Sequence, residues 1–317
     1  MRFEENETMR VLVTGGAGFI GSHVVDAYVE RGHDVTVVDD LSSGLPNVNP
    51  KAKLLVLDLR DPKTIDALRG QKFDIVNHHA AQIDVRVSVA DPAADAELNI
   101  VAALRLFRAM IDDGVRKIVF ASSGGAAYGE PQYAPQDEQH PVNPVSPYGC
   151  AKLAIDQYLG YFRNAHGIRA VSLRYGNVYG PRQRKDGEAG VVAIFSGALL
   201  DGQQVRINGT GEQTRDYVFV EDVVRANMAA SELDLDGIYN VGTGSETSVN
   251  DLYAAITKAV GVDARADYGP AKAGEQMRSV LDGTFLRRTA KLPEPVALAE
   301  GLRRTVAWLR APHAERR

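Results

Sequence analysis

The sequence predicts an α/β fold, a doubly wound parallel sheet with a smaller C-terminal lobe, on three observations. Short apolar runs alternate with stretches of helical spacing through the first half of the chain, a pattern that lays helices over both faces of a parallel sheet. The first run, Arg10 to Thr14, meets Gly15-Gly16-Ala17-Gly18-Phe19-Ile20-Gly21 and then a helical stretch at once. From about residue 176 the strands shorten and glycine becomes more frequent, so a second organisation starts there without a linker.

Composition narrows the classes of function. The chain has 317 residues, 44% hydrophobic and 24% charged, ordinary for a globular protein of one large domain or two lobes. A net charge of -5 argues against nucleic acid or an anionic membrane as partner. No apolar run approaches the roughly 18 residues of a membrane span. A single cysteine, Cys150, excludes an internal disulfide and fits a reducing compartment, so a cytoplasmic protein is expected. The start, MRFEENETMR, is too acidic for a signal peptide; residues 1 to 8 are expected to form a loose extension.

The elements follow in order. Strand, glycine turn and helix let the backbone and a helix N-terminus approach a pyrophosphate, with Gly15, Gly18 and Gly21 supplying the room. The next run, Asp34 to Val38, ends in Asp39-Asp40, where an acid accepts hydrogen bonds from an adenosine ribose. Two acids with no arginine nearby disfavour a 2′-phosphate, so NAD is expected rather than NADP. Lys53 to Leu57 is a third strand, delivering Asp58 and Leu59 beside the adenine. Phe73 to Asn77 is a fourth, running into His78-His79-Ala80-Ala81-Gln82. Adjacent histidines on a strand face opposite ways and cannot share a metal, and no metal is expected.

Asp91-Pro92 opens a long helix through Met110, with Asn99 placed to face the sheet from below the cofactor. Arg116 to Ser123 is the fifth strand, presenting Ser122 and Ser123 at its carboxyl end, where ligands bind open parallel sheets. Pro147 sets a helix start near Ser146. Tyr148 and Lys152 then stand one turn apart on one face, and an ammonium beside a phenol favours the phenolate. Arg169 to Tyr175 is the sixth strand, closing a run of strand–helix units in strict alternation. Beyond it we expect a helix over 190–200, strands over 204–207 and 216–220, and a helix from Glu221. A strand over 238–241 and helices over 249–260 and 298–309 complete the chain. Residues 9–176 are thus expected to form the cofactor domain, and 177–317 mostly a substrate lobe interleaved with the sheet.

Eight segments occur in a telling order: TGGAGFIGSH, HHAAQIDVRVSVADP, SSGGAAYG, SPYGCAK, LRYGNVYGPRQ, GEAGVVAIF, TRDYVFVEDV and YNVGTG. With them the chain resembles an extended short-chain dehydrogenase/reductase (Rossmann fold), and within that family the NAD-dependent UDP-galactose 4-epimerases. The resemblance implies Ser123, Tyr148 and Lys152 as the catalytic set, with Ser122 as an alternative to Ser123. It implies cofactor contacts from Gly15, Gly18, Phe19, Ile20, Gly21, Asp39, Asp58, Leu59, Ala80, Ala81, Gln82, Asn99 and Tyr175, together with Tyr148 and Lys152. Nucleotide-sugar contacts fall to Ser122, Ser123, Asn177, Val192, Arg215, Arg278 and Ser279. The AKAGEQ approach to Arg278 departs from the family pattern, and Ala271 or Ala273 stands where an arginine is often found.

The implied chemistry is proton removal from the sugar 4-hydroxyl by Tyr148, hydride transfer from C4 to NAD⁺ to give a 4-keto sugar, and return to the other face. Guanidinium forks suit the diphosphate. Ser279 occupies the position that gates an N-acetyl pocket, so acetamido sugars are expected to be admitted. The family implies a homodimer through helices 92–112 and 146–165, with Ala102, Ala103, Leu106, Leu153 and Tyr158 as interface candidates, most of which core packing explains equally well. Three alternatives are weighed. A 4,6-dehydratase needs an Asp-Glu pair where Gly124-Gly125-Ala126 stands. A UDP-glucuronate 4-epimerase needs cations such as Arg182, Arg184 and Lys185. A non-catalytic NAD sensor would dispense with the Tyr148 and Lys152 retained here.

Overall fold

The computed structural model describes residues 8–42, 47–185, 190–271 and 276–311. The expected extension up to residue 7, the GEA of GEAGVVAIF and the KAGE preceding Gln276, with Ala273, lie outside the described residues.

Strand β1 (Arg10–Thr14) buries four residues in succession, as a strand covered on both faces must. Helix α1 (Phe19–Glu30), β2 (Asp34–Asp39) and β3 (Lys53–Val56) follow. Strand β2 thus passes to β3 without a helix among the described residues, so alternation is not strict. Helix α2 (Pro62–Leu68) starts where Asp61 accepts a hydrogen bond from the Lys63 N–H and proline takes the first helical position. After β4 (Ile75–His78) come α3 (Val85–Ala90) and α4 (Pro92–Ala96), a π-helical turn over Glu97–Ala102, and α5 (Ala103–Asp112). The single helix expected over 92–110 is therefore interrupted by a wider turn, a feature that re-aims side chains.

Strand β5 (Lys117–Ser123) runs straight into the short α6 (Gly124–Tyr128). Helix α7 (Pro147–His166) is capped by Ser146, which accepts from the Gly149 N–H, and is closed by Gly167 at φ 66°. The remaining elements are β6 (Arg169–Tyr175), β7 (Asn177–Tyr179), α8 (Val191–Leu200), β8 (Arg206–Asn208), β9 (Thr214–Arg215), β10 (Tyr217–Phe219), α9 (Val220–Glu232) and β11 (Gly237–Val241). The chain continues through β12 (Thr247–Ser248), α10 (Val249–Val260), β13 (Asp267–Gly269), α11 (Thr284–Ala290) and α12 (Leu298–Arg310).

Two units divide the chain. The first takes Met1–Ala127, Pro144–Arg174 and Val224–Tyr239. It carries the seven-stranded sheet, in the order β11-β6-β5-β4-β1-β2-β3. Strand β1 pairs in parallel with β2 on one side and β4 on the other, so the strand order reverses at β1 and opens a crevice at the carboxyl ends. One apolar core joins Leu12, Val76, Phe107, Ile118, Phe120 and Ile155, and another joins Val11, Val24, Tyr28, Val37 and Ile75. Lys117 holds the end of α9 by donating to the carbonyls of Ala230 (3.0 Å), Ser231 (3.2 Å) and Leu233 (2.5 Å). A cation there satisfies carbonyls that a helix end leaves open.

The second unit takes Tyr128–Asn143, Tyr175–Val223 and Asn240–Arg317. It packs α8, α10 and α12 around Val192, Phe195, Leu252, Ile256 and Leu302. Short strand pairs, β7 with β10, β9 with β12 and β8 with β13, tie its loops.

Candidate active site

The glycine turn is shaped by what a side chain would strike. A Cβ on Gly15, which sits at φ +67°, would lie 2.6 Å from the Ala80 nitrogen, and one on Gly21 would lie 2.2 Å from the Gly15 carbonyl oxygen. Only glycine lets α1 start this close to the ends of β1 and β4. Phe19 and Ile20, both half-buried, form the first turn of α1. Asp39, 7% exposed, accepts the N–H groups of Ala17 (3.0 Å) and Leu41 (2.9 Å), so the acid is pinned to the glycine turn. Burial raises its pKa and those two hydrogen bonds pull it back.

Asp58 is turned onto Arg60, with Nη2 2.7 Å from Oδ2, and Leu59 beside it is buried. Arg60 also feels the charge of Asp40. The sequence reading found no arginine near the two acids; chain folding brings one there, committed to Asp58.

Where β4 ends, Ala80, Ala81 and Gln82 are half-buried. The Ala80 N–H reaches the Thr14 hydroxyl at 3.3 Å, and that hydroxyl also lies 2.8 Å from His78 Nδ1. Burial pushes both His78 and His79 down to about 3, so both are neutral packing groups at neutral pH. Asn99, on the π-helical turn, accepts the Gln82 N–H (3.0 Å) and donates to the Gln82 carbonyl (2.9 Å) and to Asp95 (3.0 Å). It clamps the loop after β4 by its backbone.

Lys152 is 4% exposed. Its ammonium donates to the Ala121 carbonyl at 2.8 Å and stands 5.6 Å from the centre of the Tyr148 ring and 4.7 Å from that of Phe120. Burial pushes its pKa down to about 8, while the carboxylates of Asp156 and Asp95 hold it up. Helix α7 reaches this position because residue 149 is glycine: a Cβ there would lie 2.3 Å from the Ala126 carbonyl oxygen. Ser122 is 3% exposed and its hydroxyl has no hydrogen-bond partner. Ser123, half-buried, accepts the Ala126 N–H at 3.4 Å, which leaves its own proton to give.

In the second unit Arg215 and Arg278 come to one patch. The Arg215 guanidinium donates to the carbonyls of Thr214 (2.8 Å) and Gln276 (2.7 Å). Arg278 binds Glu246 at 2.6 Å, and Glu246 also accepts the Thr214 hydroxyl at 3.3 Å. Ser279 is 2% exposed beside Arg278. Asn177 is exposed, whereas Tyr175 and Val192 are buried, Val192 within the α8 core. Asp216 accepts the N–H groups of Thr243 (3.0 Å), Gly244 (3.3 Å) and Leu281 (3.2 Å), and so ties the YNVGTG turn to the segment after Arg278. Lys185 is paired with Asp201.

Three of the interface candidates are corrected: Ala102, Ala103 and Leu106 are 0% exposed and belong to the core. Tyr158 is 44% exposed, and Ile83, Val85, Val87, Val89, Val145 and Tyr161 are exposed as well. Sequence reading also passed over Asp95, Asp156, Arg174 and Glu246. Of these only Asp156, one further turn beyond Lys152, carries a signal in its spacing. Among the described residues no His, Cys, Asp and Glu cluster could hold a metal, and no helix is long and apolar enough to cross a membrane.

Residues 11–242 match the NAD-dependent epimerase/dehydratase family. The UDP-glucose 4-epimerase of Mycolicibacterium smegmatis is 46% identical over 309 residues, covering 95% of this chain and 99% of that protein. The crystal structure of the Thermotoga maritima UDP-glucose 4-epimerase with UDP-glucose superposes with a TM-score of 0.93 at 44% identity, covering 95% of this chain and 99% of that one. The Thermus thermophilus UDP-glucose 4-epimerase in complex with NAD gives a TM-score of 0.90 at 43% identity, covering 96% and 100%.

Proposed function

The chain belongs to the NAD-dependent epimerase/dehydratase family, and from that premise we infer that it is a UDP-hexose 4-epimerase interconverting UDP-glucose and UDP-galactose. Relatives of that activity match nearly end to end. The observation that carries the chemistry is the buried Lys152 ammonium, fixed to the Ala121 carbonyl below the Tyr148 ring.

The glycine turn and Asp39 fit a dinucleotide: the turn runs straight into α1, whose N-terminus suits a pyrophosphate, and the pinned Asp39 carboxylate suits ribose hydroxyls. When bound, NAD⁺ supplies a reversible hydride acceptor for the sugar C4. Tyr148 takes the proton of the 4-hydroxyl and gives it back, acting as general base and then general acid. Lys152 stabilises its phenolate by charge. Ser123 hydrogen-bonds the same oxygen through its hydroxyl and shares the proton, and the buried Ser122 lines the strand end behind it. Arg215 and Arg278 bind the diphosphate, with Asn177, Val192 and Ser279 as further contacts of the nucleotide-sugar. Ser279 is small where the family resemblance puts the gate of the acetamido pocket, which extends the substrate range to UDP-GlcNAc and UDP-GalNAc. The Gly124-Gly125-Ala126 start of α6 offers no acid–base pair for dehydration, and Lys185 is engaged by Asp201 rather than open to a uronate.

The reading places the enzyme in the cytoplasm as a homodimer, for which the exposed Val85, Val87 and Val89 of α3 and Tyr158 and Tyr161 of α7 supply apolar surface. Sedimentation at micromolar concentration is expected to give twice the chain mass, and Val87→Glu the single mass. Incubating the purified protein with each UDP-sugar, without added NAD, tests the activity. UDP-glucose and UDP-galactose are expected to equilibrate, and turnover restricted to UDP-glucuronate would overturn the reading.

A further inference from the structure

Helix α7 repeats its spacing beyond the Tyr148/Lys152 pair: Asp156 is again one turn on, so three functional groups descend one helix face. The Asp156 side chain is 0% exposed. Arg174 on β6 donates to its Oδ2 through Nε and Nη2, both at 2.9 Å, and its own side chain is 3% exposed. Ser172, two residues earlier on the same strand, donates to Oδ1 at 2.5 Å. Both carboxylate oxygens are therefore held, and the acid is fixed one helical turn from a buried ammonium.

A buried ion pair is a poor way to gain stability, since desolvating two charges offsets most of their attraction. An apolar pair would join α7 to β6 as well. What an apolar pair would not do is present negative charge one turn below Lys152. We propose that Asp156 is a positioning residue for the epimerisation: held by Ser172 and Arg174, it keeps the Lys152 side chain charged and seated on the Ala121 carbonyl, and through it keeps Tyr148 competent as a base. The proposal rests on the reading of Tyr148 and Lys152 as the proton-transfer pair.

The charged and titratable groups that face Lys152 are few. Tyr148 and Asp156 lie on its own helix, Asp95 on α4, His78 and His79, both neutral, at the end of β4, and Arg174 on β6 behind Asp156. Asp95 is held by the neutral amides of Gln82 and Asn99 at 3.0 Å each, and Asp156, on the helix of Lys152 itself, supports its charge more than Asp95 does. Asp156 is the group whose removal leaves Lys152 with least support against burial.

The test compares kcat and KM against pH for wild type, Asp156→Asn, and the double variant Asp156→Asn/Arg174→Met, which strands no buried charge. Each variant is first checked for folding by thermal melting. The alkaline limb of the kcat profile is expected to move to lower pH by about one unit in Asp156→Asn and, because a cation leaves with the nearer acid, by less but in the same direction in the double variant. At the wild-type optimum kcat is expected to fall about tenfold, with KM for UDP-glucose unchanged. A folded variant whose alkaline limb coincides with that of wild type overturns the proposal. So does failure of both variants to fold, since the pair would then be a structural staple. A wild type that does not epimerise at all, or a Tyr148→Phe variant as fast as wild type, would instead sink the underlying reading of the site.

Discussion

Two sets of cations are assigned to one reaction, and they are built in opposite ways. Lys152 lies in the first unit, almost wholly buried and paired with a backbone carbonyl. Arg215 and Arg278 lie in the second, and the Arg278 side chain is 52% exposed against a single acid. Burial makes an amine's charge negotiable, so its neighbours decide when it is present. A guanidinium stays charged throughout the working range. On the proposed reading the first unit tunes and the second anchors. Damage to one is expected to appear in kcat, damage to the other in KM.

The largest effect falls on the tuned side. Tyr148→Phe is expected to lower kcat by about a thousandfold or more, the scale of a lost general base, with KM little changed. A variant within tenfold of wild type in a UDP-glucose turnover assay would break the comparison. On the anchoring side, Arg215→Ala removes charge-assisted hydrogen bonds and is expected to raise KM by about 10- to 100-fold with kcat largely kept. Arg278→Ala should do less, because its charge is better screened by water. If Arg215→Ala instead cut kcat alone, the division of labour between tuning and anchoring would be wrong.

The pH dependence sharpens the same contrast. Lys152 titrates from about 8, so its ammonium is complete well below that pH and is lost as the pH rises through it. In the enzyme saturated with UDP-glucose, kcat is expected to fall severalfold between pH 8 and 9. KM is expected to stay flat, since a guanidinium keeps its charge across that range. A parallel rise in KM would show that the anchor titrates too. The smallest effect concerns breadth. Ser279→Tyr is expected to suppress turnover of UDP-GlcNAc about tenfold or more while changing that of UDP-glucose less than twofold. Equal loss of both would remove Ser279 from the discrimination.

Much of this was legible in the sequence, for physical reasons that can be traced residue by residue. Gly15 and Gly21 were readable because backbone passes where a Cβ would sit, and α7 because Ser146 and Pro147 announce a helix start. The π-helical turn at Asn99 was not readable, because nothing in ELNIVA distinguishes a wide turn from an ordinary one. Arg60 beside Asp40 was missed because the encounter depends on how two sheet strands align, not on spacing along the chain. Whether Ala102, Ala103 and Leu106 belong to an interface or to the core was left open by the sequence, because a helix face names the residues that share it and not what covers them. Asp156 was hidden differently: its spacing was plain, but its partners Ser172 and Arg174 come from another strand.

The most direct measurement follows a deuterium placed at C4 of UDP-glucose through turnover in ordinary water. The account requires that the hydrogen leave the carbon and return to it without meeting solvent, so UDP-galactose should form with the label retained at C4. Exchange of that label with water, or the absence of UDP-galactose, would contradict it.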